Sequence, residues 1–328
     1  MIIKLFYRQL LFVALLPILL FADSENFKKD RDMQKDKKTV SLVLGSGGAR
    51  GYAHIGVIEA LEEQGYVIKS ISGSSMGALI GGLYAAGKLD PYQEWVLSLD
   101  FIDTLKLLDI SLSHGGIVNI DTVYKKIEQM IGDIKIEDLP IKYIAVASDI
   151  KNQKKIWFKK GKLIDAIRAS IAIPTVFVPV VKEDMILVDG GVLEPLPIAS
   201  VSSDETDLTI AVNLNANIQN TYKIERPEKE EIAENTFYKK TIELVDKAKQ
   251  AIVTETSKEE TPIDIFYILN KSLDATQSLI VENTIKEHQP DLIIEIPRDA
   301  CESYEFDKAY EMIEIGKRAT QKSLKTLK

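Results

Sequence analysis

Residues 39–87 contain two strand–turn–helix units in immediate succession, and both turns are rich in glycine. In the first, TVSLVL leads into the turn GSGGARG and then into a helix with apolar residues at helical spacing. In the second, VIKSIS leads into the turn GSSMG and then into a helix of small residues. Strands that alternate with helices pair in parallel, because each helix carries the chain back along the sheet. The sequence therefore predicts the α/β class.

Further apolar runs extend this predicted sheet. Residues 141–148 (IKYIAVAS) and 208–214 (LTIAVNL) have the length of strands that are covered on both faces. Residues 264–328 are predicted to form two helices around a strand at 292–296. With 328 residues and 45% hydrophobic content, the chain can bury one large core. We predict one α/β domain with a mainly parallel sheet over residues 39–328.

The first 38 residues differ in composition from this domain. Lys4 and Arg8 precede the apolar run at 10–21, and this layout predicts a signal peptide over residues 1–22, cleaved after Ala22. An uncleaved amino-terminal anchor is the alternative. Residues 23–38 are almost all polar and predict a charged flexible linker. The expected location follows export across a bacterial inner membrane: the periplasm, a membrane-associated state, or the exterior of the cell.

Charge and cysteine content exclude several classes of protein. The formal net charge of −8 argues against nucleic acid as a partner, and taken over the whole chain it argues against attraction to anionic membranes. Cys301 is the single cysteine, so no internal disulfide can form. Histidine, cysteine and carboxylate residues nowhere recur at metal-ligand spacing, so neither a metal nor a cofactor is expected. The sequence gives no signal of an oligomeric state.

The first glycine turn, residues 45–51, does not fit the two common phosphate-binding motifs. Arg50 stands where a dinucleotide fingerprint needs its last glycine, and Gly51 is followed by Tyr52 where a P-loop needs lysine. Successive small residues at a strand end could instead turn their N–H groups toward an anion, with Gly47 and Gly48 as donors to a developing oxyanion. A tight turn without a ligand is the alternative. Arg50 could add positive potential or serve as a structural arginine.

The second glycine turn fits the pattern G-x-S-x-G with Ser75 at its centre. A serine between a strand and a helix can occupy the sharp turn of a nucleophile elbow, in which Gly73 and Gly77 relieve the crowding. A serine hydroxyl needs a neighbouring base to take its proton. Of the three histidines, His54 and His114 are weaker candidates, and an ordinary serine–acid–histidine order would require His288.

Asp189 is the other candidate for the base. It ends the short apolar run MILVD and is followed by Gly190 and Gly191, which leave room for neighbours to approach. The alternative is a plain hairpin turn, because Asp-Gly is a strong turn signal.

Three motifs in this order, GSGGARG, GSSMG and VDGG, resemble the patatin-like phospholipase family. The closer likeness is to its bacterial branch, similar to the catalytic domain of neuropathy target esterase, and AIRASIAIPTVFVPV at 166–180 supports it. The resemblance implies a three-layer α/β/α fold with a mainly parallel central sheet. It also implies a serine–aspartate dyad of Ser75 and Asp189 and an oxyanion loop of Gly47, Gly48 and Arg50. The supporting motif glycines are Gly45, Gly51, Gly73, Gly77, Gly190 and Gly191.

The resemblance also implies a function, the hydrolysis of lipid esters without a cofactor. The expected partners are a phospholipid, a lysophospholipid or another acyl ester, together with transient contact with a membrane surface. The alternative from another class is a catalytically silent lipid-binding or regulatory module. Residues 89–112 could form a lid or acyl groove, or simply pack in the core, beside a glycine-containing loop at 111–120. Residues 227–262 could dock on lipid or form a solvated surface helix.

Overall fold

A computed structural model describes residues 38–99, 121–174, 176–226 and 265–327. The predicted signal peptide, most of the charged linker, the loop at 111–120 and the stretch 227–262 lie outside the described residues and stay predictions. Eight strands form one sheet, in the order β5-β6-β3-β2-β1-β7-β8, with β4 paired to β3. The strands are β1 Thr39–Leu44, β2 Val67–Ser74, β3 Lys142–Asp149, β4 Lys154–Phe158, β5 Val180–Lys182, β6 Met185–Asp189, β7 Leu208–Ala216 and β8 Leu292–Pro297.

Helices cover both faces of this sheet and make three layers. One face carries the main core, to which most helices contribute, whereas Val281 of α6 packs on the opposite face against Val43 of β1 and Ala211 of β7. The helices are α1 Ala53–Glu63, α2 Met76–Ala85, α3 Leu89–Ser98, α4 Asp121–Ile131, α5 Leu163–Ser170, α6 Ile265–His288 and α7 Ala309–Leu324. Among these described helices, none is both long enough and apolar enough to cross a bilayer.

The predicted parallel centre is confirmed, but one corner of the sheet is antiparallel. β1, β2, β3, β7 and β8 pair in parallel, as the strand–helix alternation requires. β4 and β6 both pair with β3 in the antiparallel direction, and β5 pairs with β6 in the same way. The predicted strand at 292–296 and the helices on either side of it are also confirmed.

The pairing of β3 places two strand ends against each other. β4 pairs with residues 145–149 of β3, so β2 and β6 must share the other edge of that strand. Along this edge, Ser74 of β2 lies opposite Val146, and Asp189 of β6 lies opposite the next residue, Ala147. Because β2 and β6 run in opposite directions, their carboxyl ends meet there. The fold thus brings residue 75 and residue 189 together across 114 positions of sequence.

Helices α1 and α7 approach each other closely at a pair of glycines. A Cβ atom added at Gly56 would lie 1.9 Å from the carbonyl oxygen of Ile313, and one added at Gly316 would lie 2.0 Å from that of Ala53. Neither distance is possible without displacing backbone. The two helices can therefore pack at this separation only because both positions lack a side chain.

We expect Gly56→Ala to lower the free energy of unfolding by about 3 kcal/mol, because overpacking must push the helices apart. Gly65→Ala is the matched control. Gly65 has φ +81° but no atom within 4 Å of an added Cβ, so its cost is backbone strain of about 1 kcal/mol. Urea unfolding of both variants gives the comparison. Equal losses would show that close helix packing is not what requires glycine at position 56.

Candidate active site

Ser75 occupies a strained turn between β2 and α2. Its backbone has φ 56° and ψ −125°, in the region that side chains disfavour, and such strain persists only where the surrounding structure enforces it. The flanking glycines explain how the turn closes. A Cβ at Gly73 would lie 2.2 Å from the carbonyl oxygen of Gly77, and one at Gly77 would lie 2.1 Å from that of Leu44. The geometry is that of the predicted elbow.

The side chains of Ser75 and Asp189 are joined by a short hydrogen bond. The Ser75 Oγ donates to Asp189 Oδ2 at 2.5 Å, and both residues are buried. Asp189 Oδ1 accepts a second bond, at 2.7 Å, from the N–H of Gly191. The carboxylate is thus fixed at both oxygens, with one of them directed at the serine hydroxyl.

The Asp-Gly-Gly segment is not the hairpin turn of the alternative interpretation. Asp189 ends β6 and caps a short 3-10 turn, Gly190–Val192, whereas the hairpin of this region lies upstream, between β5 and β6. A Cβ at Gly190 would lie 2.2 Å from the carbonyl oxygen of Val146, so glycine is needed for this turn to approach β3.

Burial raises the pKa of Asp189 from its ordinary 3.8 to about 6. The hydrogen bonds from Ser75 and from the N–H of Gly191 favour the charged carboxylate and oppose this shift only in part. The residue is still ionised at neutral pH. Its proton affinity is nevertheless higher than that of an exposed aspartate, which suits a group that must accept a proton.

Ser170, at the end of α5, holds the backbone of Ser75. The N–H of Ser75 donates to Ser170 Oγ at 2.9 Å, and that hydroxyl donates to the carbonyl oxygen of Val146 at 2.6 Å. The N–H of Ser75 is therefore already engaged and is not free for a ligand. The sequence alone does not predict this role, although Ser170 lies in the stretch 166–180 that supports the family resemblance.

The first glycine turn lies beside this site and is fixed by its neighbours. Gly48 has φ +56°, and a Cβ there would lie 2.4 Å from the carbonyl oxygen of Ser303, which also accepts the N–H of Ala49 at 2.9 Å. In the described part of the chain, no hydrogen bond uses the N–H of Gly47 or of Gly48. These two donors remain available, as the oxyanion interpretation of the turn requires.

The side chain of Arg50 anchors this turn to the carboxyl-terminal segment. It is buried and donates to the carbonyl oxygens of Arg298 and Cys301 at 3.3 and 3.1 Å, and to Asn215 Oδ1 at 2.8 Å. Asn215 Nδ2 in turn donates to the carbonyl oxygen of Ser46 at 3.1 Å. The contacts on both sides of Gly47 and Gly48 thus meet at Asn215. These contacts are those of a structural arginine, which is one of the two roles that the sequence left open for Arg50.

The histidines are engaged elsewhere. His54 is fully buried, and burial lowers its pKa to about 4, so the neutral ring donates from Nε2 to the carbonyl oxygen of Gly45 at 2.8 Å. His288 lies in the last turn of α6, where its Nε2 is 4.0 Å from a carboxylate oxygen of the neighbouring Glu287. His114 lies outside the described residues. The described hydrogen bonds of Ser75 Oγ involve Asp189 and no histidine.

An apolar pocket opens beside Ser75. It contains about 670 Å³ of space, including its open mouth. For Trp95 the sequence allows either an acyl groove or core packing, and this side chain both lines the pocket and packs against the core. Residues 100–112 of the stretch 89–112 lie outside the described residues. The lining residues are Gly48, Tyr52, Ser75, Met76, Leu79, Tyr92, Trp95, Leu99, Val123, Ile127, Ile171, Ile173, Phe177 and Phe306.

The described side chains do not include a candidate metal site. Within the described ranges, no group of three or more histidine, cysteine, aspartate or glutamate side chains is arranged to hold a metal ion. The polar groups at the site are instead the Ser75 hydroxyl, the Asp189 carboxylate and the backbone donors of the glycine turn.

Comparison with known proteins agrees with the three motifs. Residues 42–202 match the family model described as patatin-like phospholipase. An NTE family protein of Mycobacterium bovis is 38% identical over 327 residues, which cover 87% of this chain and 91% of that protein. The chain belongs to the patatin-like phospholipase family. The resemblance found in the sequence is confirmed, and so is the patatin fold with its three layers.

More distant relatives give less information about this chain, because they match it over a smaller share of their length or at lower similarity. A lysophospholipase of Emericella nidulans is 31% identical over 199 residues, which are 56% of this chain but 12% of that protein. The crystal structure of VipD from Legionella pneumophila covers 89% of this chain and 67% of its own, at 14% identity and a TM-score of 0.39, which is too low to carry an argument. Membership of the patatin-like phospholipase family supports lipid ester hydrolysis as the general activity.

Asp189→Asn should raise the free energy of unfolding near neutral pH. Because the pKa of Asp189 is about 6 in the folded protein and about 3.8 when exposed, the folded state binds this proton more tightly than the unfolded chain. The folded state therefore loses stability as the pH rises from about 4 to about 6, and above that window the cost is about 3 kcal/mol. The asparagine side chain has no charge and escapes this cost.

Urea unfolding across that pH window tests this expectation. The stability difference between Asp189→Asn and the parent chain should grow as the pH rises and then level off. Asp184→Asn, which makes the same substitution at an exposed position, is the matched control. A difference that is constant across the window would contradict the assignment of a buried, charged Asp189.

Proposed function

We propose that this patatin-like protein is a serine lipid acyl hydrolase that uses a dyad of Ser75 and Asp189. The observation that supports this most directly is the 2.5 Å hydrogen bond from Ser75 Oγ to Asp189 Oδ2 beside an apolar pocket. A nucleophile within hydrogen-bond reach of its base, with a third group orienting the base, is the general signature of covalent catalysis. Here the N–H of Gly191 orients the carboxylate.

In the acylation step, Ser75 Oγ attacks the ester carbonyl carbon while its proton passes to Asp189. The electron pair of the C=O bond moves to the carbonyl oxygen and then returns to expel the alcohol, which takes the proton from Asp189. The acyl group is now esterified to Ser75. Water then attacks this ester with Asp189 again accepting a proton, and the fatty acid leaves as Ser75 regains its hydrogen.

The N–H groups of Gly47 and Gly48 are the proposed donors to the oxyanion. They are unengaged in the described structure, whereas the N–H of Ser75 is held by Ser170. Loss of one such donor in other hydrolases costs on the order of 3 kcal/mol of transition-state stabilisation. In this proposal the Arg50 side chain acts through its contacts with Asn215 and the carboxyl-terminal carbonyl oxygens, which hold the glycine turn in place.

The pocket supports a substrate with a long apolar acyl chain. Its wall is made almost entirely of aliphatic and aromatic side chains, as is typical of sites that bind apolar ligands. A chain in this pocket would place its ester at Ser75. The proposed substrates are therefore phospholipids, lysophospholipids or other acyl esters, with the alcohol portion remaining outside the pocket.

Ser75→Ala and Asp189→Asn should each lower the rate of fatty acid release by about 10⁴-fold, because members of a nucleophile–base pair act as a unit. The assay is fatty acid release from a panel of phospholipids and lysophospholipids by the full-length chain. His288→Ala is the control and should retain activity. Activity that survives Asp189→Asn but disappears in His288→Ala would replace the dyad by a triad. A folded parent chain inactive on the whole panel would favour the catalytically silent module.

The rate should depend on pH through the ionisation of Asp189. Because the base must be the carboxylate, kcat/KM is expected to fall about tenfold per pH unit below about pH 6 and to be level above it. An imidazole has an ordinary pKa of about 6.5, so this fall of kcat/KM at low pH does not by itself distinguish Asp189 from a histidine. The same pH dependence must therefore persist in His288→Ala. A pH dependence that shifts or vanishes in that variant would exclude Asp189 as the titrating base.

A further inference from the structure

The outer face of the antiparallel corner combines exposed apolar side chains with lysines. In antiparallel pairs, residues directly opposite each other point to the same face, and so do alternate residues of one strand. Trp157 lies opposite Val146, Lys155 opposite Ser148, Ser148 opposite Val188, and Ile186 opposite Val181. The N–H of Ile150 donates to the carbonyl oxygen of Ile186 at 3.0 Å. We define the outer face as Ile150, Lys155, Trp157, Lys159, Val181 and Ile186.

The two faces of this corner differ in what covers them. On the inner face, Ile156, Leu187 and Val180 pack with Ala169 of α5. On the outer face, the central positions Val146, Ser148 and Val188 are buried, whereas toward its ends Val181 is 73% exposed, Ile150 47% and Trp157 36%. Exposed apolar side chains grouped on one side of a protein are found at surfaces that contact another protein or a membrane.

Trp157 is held in position on the outer face. Its Nε1 donates at 2.6 Å to Oε2 of the buried Glu194, and the Lys159 ammonium lies 5.1 Å from the centre of its ring. Lys155 Nζ pairs with the other Glu194 oxygen at 3.5 Å. The indole thus has its polar atom satisfied inside the protein and a lysine above its ring. Tryptophan with neighbouring lysine is the combination found where proteins meet the headgroup region of a bilayer.

The charge of this region is opposite to that of the chain as a whole. Residues 150–162 contain six lysines and no aspartate or glutamate, whereas the formal net charge of the chain is −8. Among the described residues, no ion pair engages Lys154, Lys159, Lys160 or Lys182. The nearest acidic side chains in the adjoining hairpin are Glu183 and Asp184, and Asp184 pairs with Lys151. The formal net charge of the chain therefore does not describe this region.

The outer face is also joined to the pocket by a short length of chain. Phe177 lines the pocket, the next residue, Val178, is 69% exposed, and Val181 follows in β5. Four residues span at most about 14 Å, so the pocket wall and the outer face are neighbours. A protein that rests on this face therefore has its acyl pocket close to the lipid.

We propose that the outer face docks on a lipid surface that contains anionic headgroups. The inference rests on the proposed lipid hydrolase, because it gives the site access to substrate in a membrane. The lysines supply attraction to the headgroups, and Trp157, Ile150 and Val181 supply apolar contact at the interface. The location of the contact is what the structure adds to the expectation of transient membrane contact.

The two tryptophans of the chain, Trp95 and Trp157, permit a direct test of the contact. In full-length Ser75→Ala/Trp95→Phe, which cannot consume lipid by the proposed mechanism, all tryptophan emission comes from Trp157. Vesicles of phosphatidylcholine and phosphatidylglycerol with bromine-labelled acyl chains should quench this emission and shift it to shorter wavelength. Vesicle binding without quenching would overturn the proposal. So would an emission shift that follows protein concentration without vesicles, since it would assign the face to a second copy.

A charge-matched pair of variants tests the role of the lysines. In the Ser75→Ala background, Lys159→Gln/Lys160→Gln should weaken binding to the mixed vesicles by about tenfold or more, and the difference should shrink at high salt. Lys322→Gln/Lys325→Gln removes the same charge from the carboxyl-terminal end of the chain and should leave binding unchanged. Equal binding by the two double variants would overturn the docking face.

Failure of the docking face and failure of the proposed function give different results. With Ser75 restored, Lys159→Gln/Lys160→Gln should hydrolyse a dispersed short-chain ester at the parental rate and lose activity only on vesicles. Equal loss on both substrates would show damage to the site instead of lost docking and would overturn the proposal. Parental activity on vesicles would overturn it as well. A parent chain that hydrolyses neither substrate would refute the hydrolase, while the Trp157 measurement would still decide the contact.

Discussion

The pairing register of one strand, β3, determines where the chemistry of this protein can occur. Val146 and Ala147 are consecutive residues of β3, and they lie opposite the last residue of β2 and the last residue of β6. A shift of one residue in either pairing would turn the adjoining side chains to the other face of the sheet. The 2.5 Å bond between Ser75 and Asp189 therefore depends on the register of β3, whose side chains are buried on both faces of the sheet.

The geometry around Ser75 and Asp189 lowers the stability of the fold. Ser75 is held at positive φ, and Asp189 is an ionised carboxylate that burial penalises. Each of these features costs free energy of folding, and neither improves packing. The surrounding hydrogen bonds, from the N–H of Ser75 to Ser170 Oγ and from the N–H of Gly191 to Asp189 Oδ1, offset part of that cost. The strain is concentrated where the hydroxyl of Ser75 is directed at the carboxylate of Asp189, and such strain is common at functional sites.

Sequence patterns predicted the parallel centre of the fold and singled out Ser75 and Asp189, which the fold brings together, but they did not predict the antiparallel corner. The runs at 39–44 and 67–72 are apolar and bounded by glycine, so their strand character is local information. β4 is a five-residue strand, KKIWF, with lysines at its start, and β5 has three residues, so neither carries a distinct period. The role of Ser170 was not predictable in this way, because a hydroxyl 95 positions from Ser75 becomes its partner only when α5 packs beside β3.

The net charge of the chain does not describe the charge around β4, and the reason is geometric. Net charge sums over the chain, whereas electrostatic attraction to a surface depends on the charges within about one Debye length, roughly 8–10 Å, of that surface. Six lysines in thirteen consecutive positions, two of them in the edge strand β4 and the others close to it in sequence, are concentrated locally even though acidic residues predominate elsewhere. Edge strands commonly carry lysine, which discourages pairing with other strands. On β4 the same residues that protect the edge also flank an exposed tryptophan, so one arrangement can prevent aggregation and favour contact with lipid.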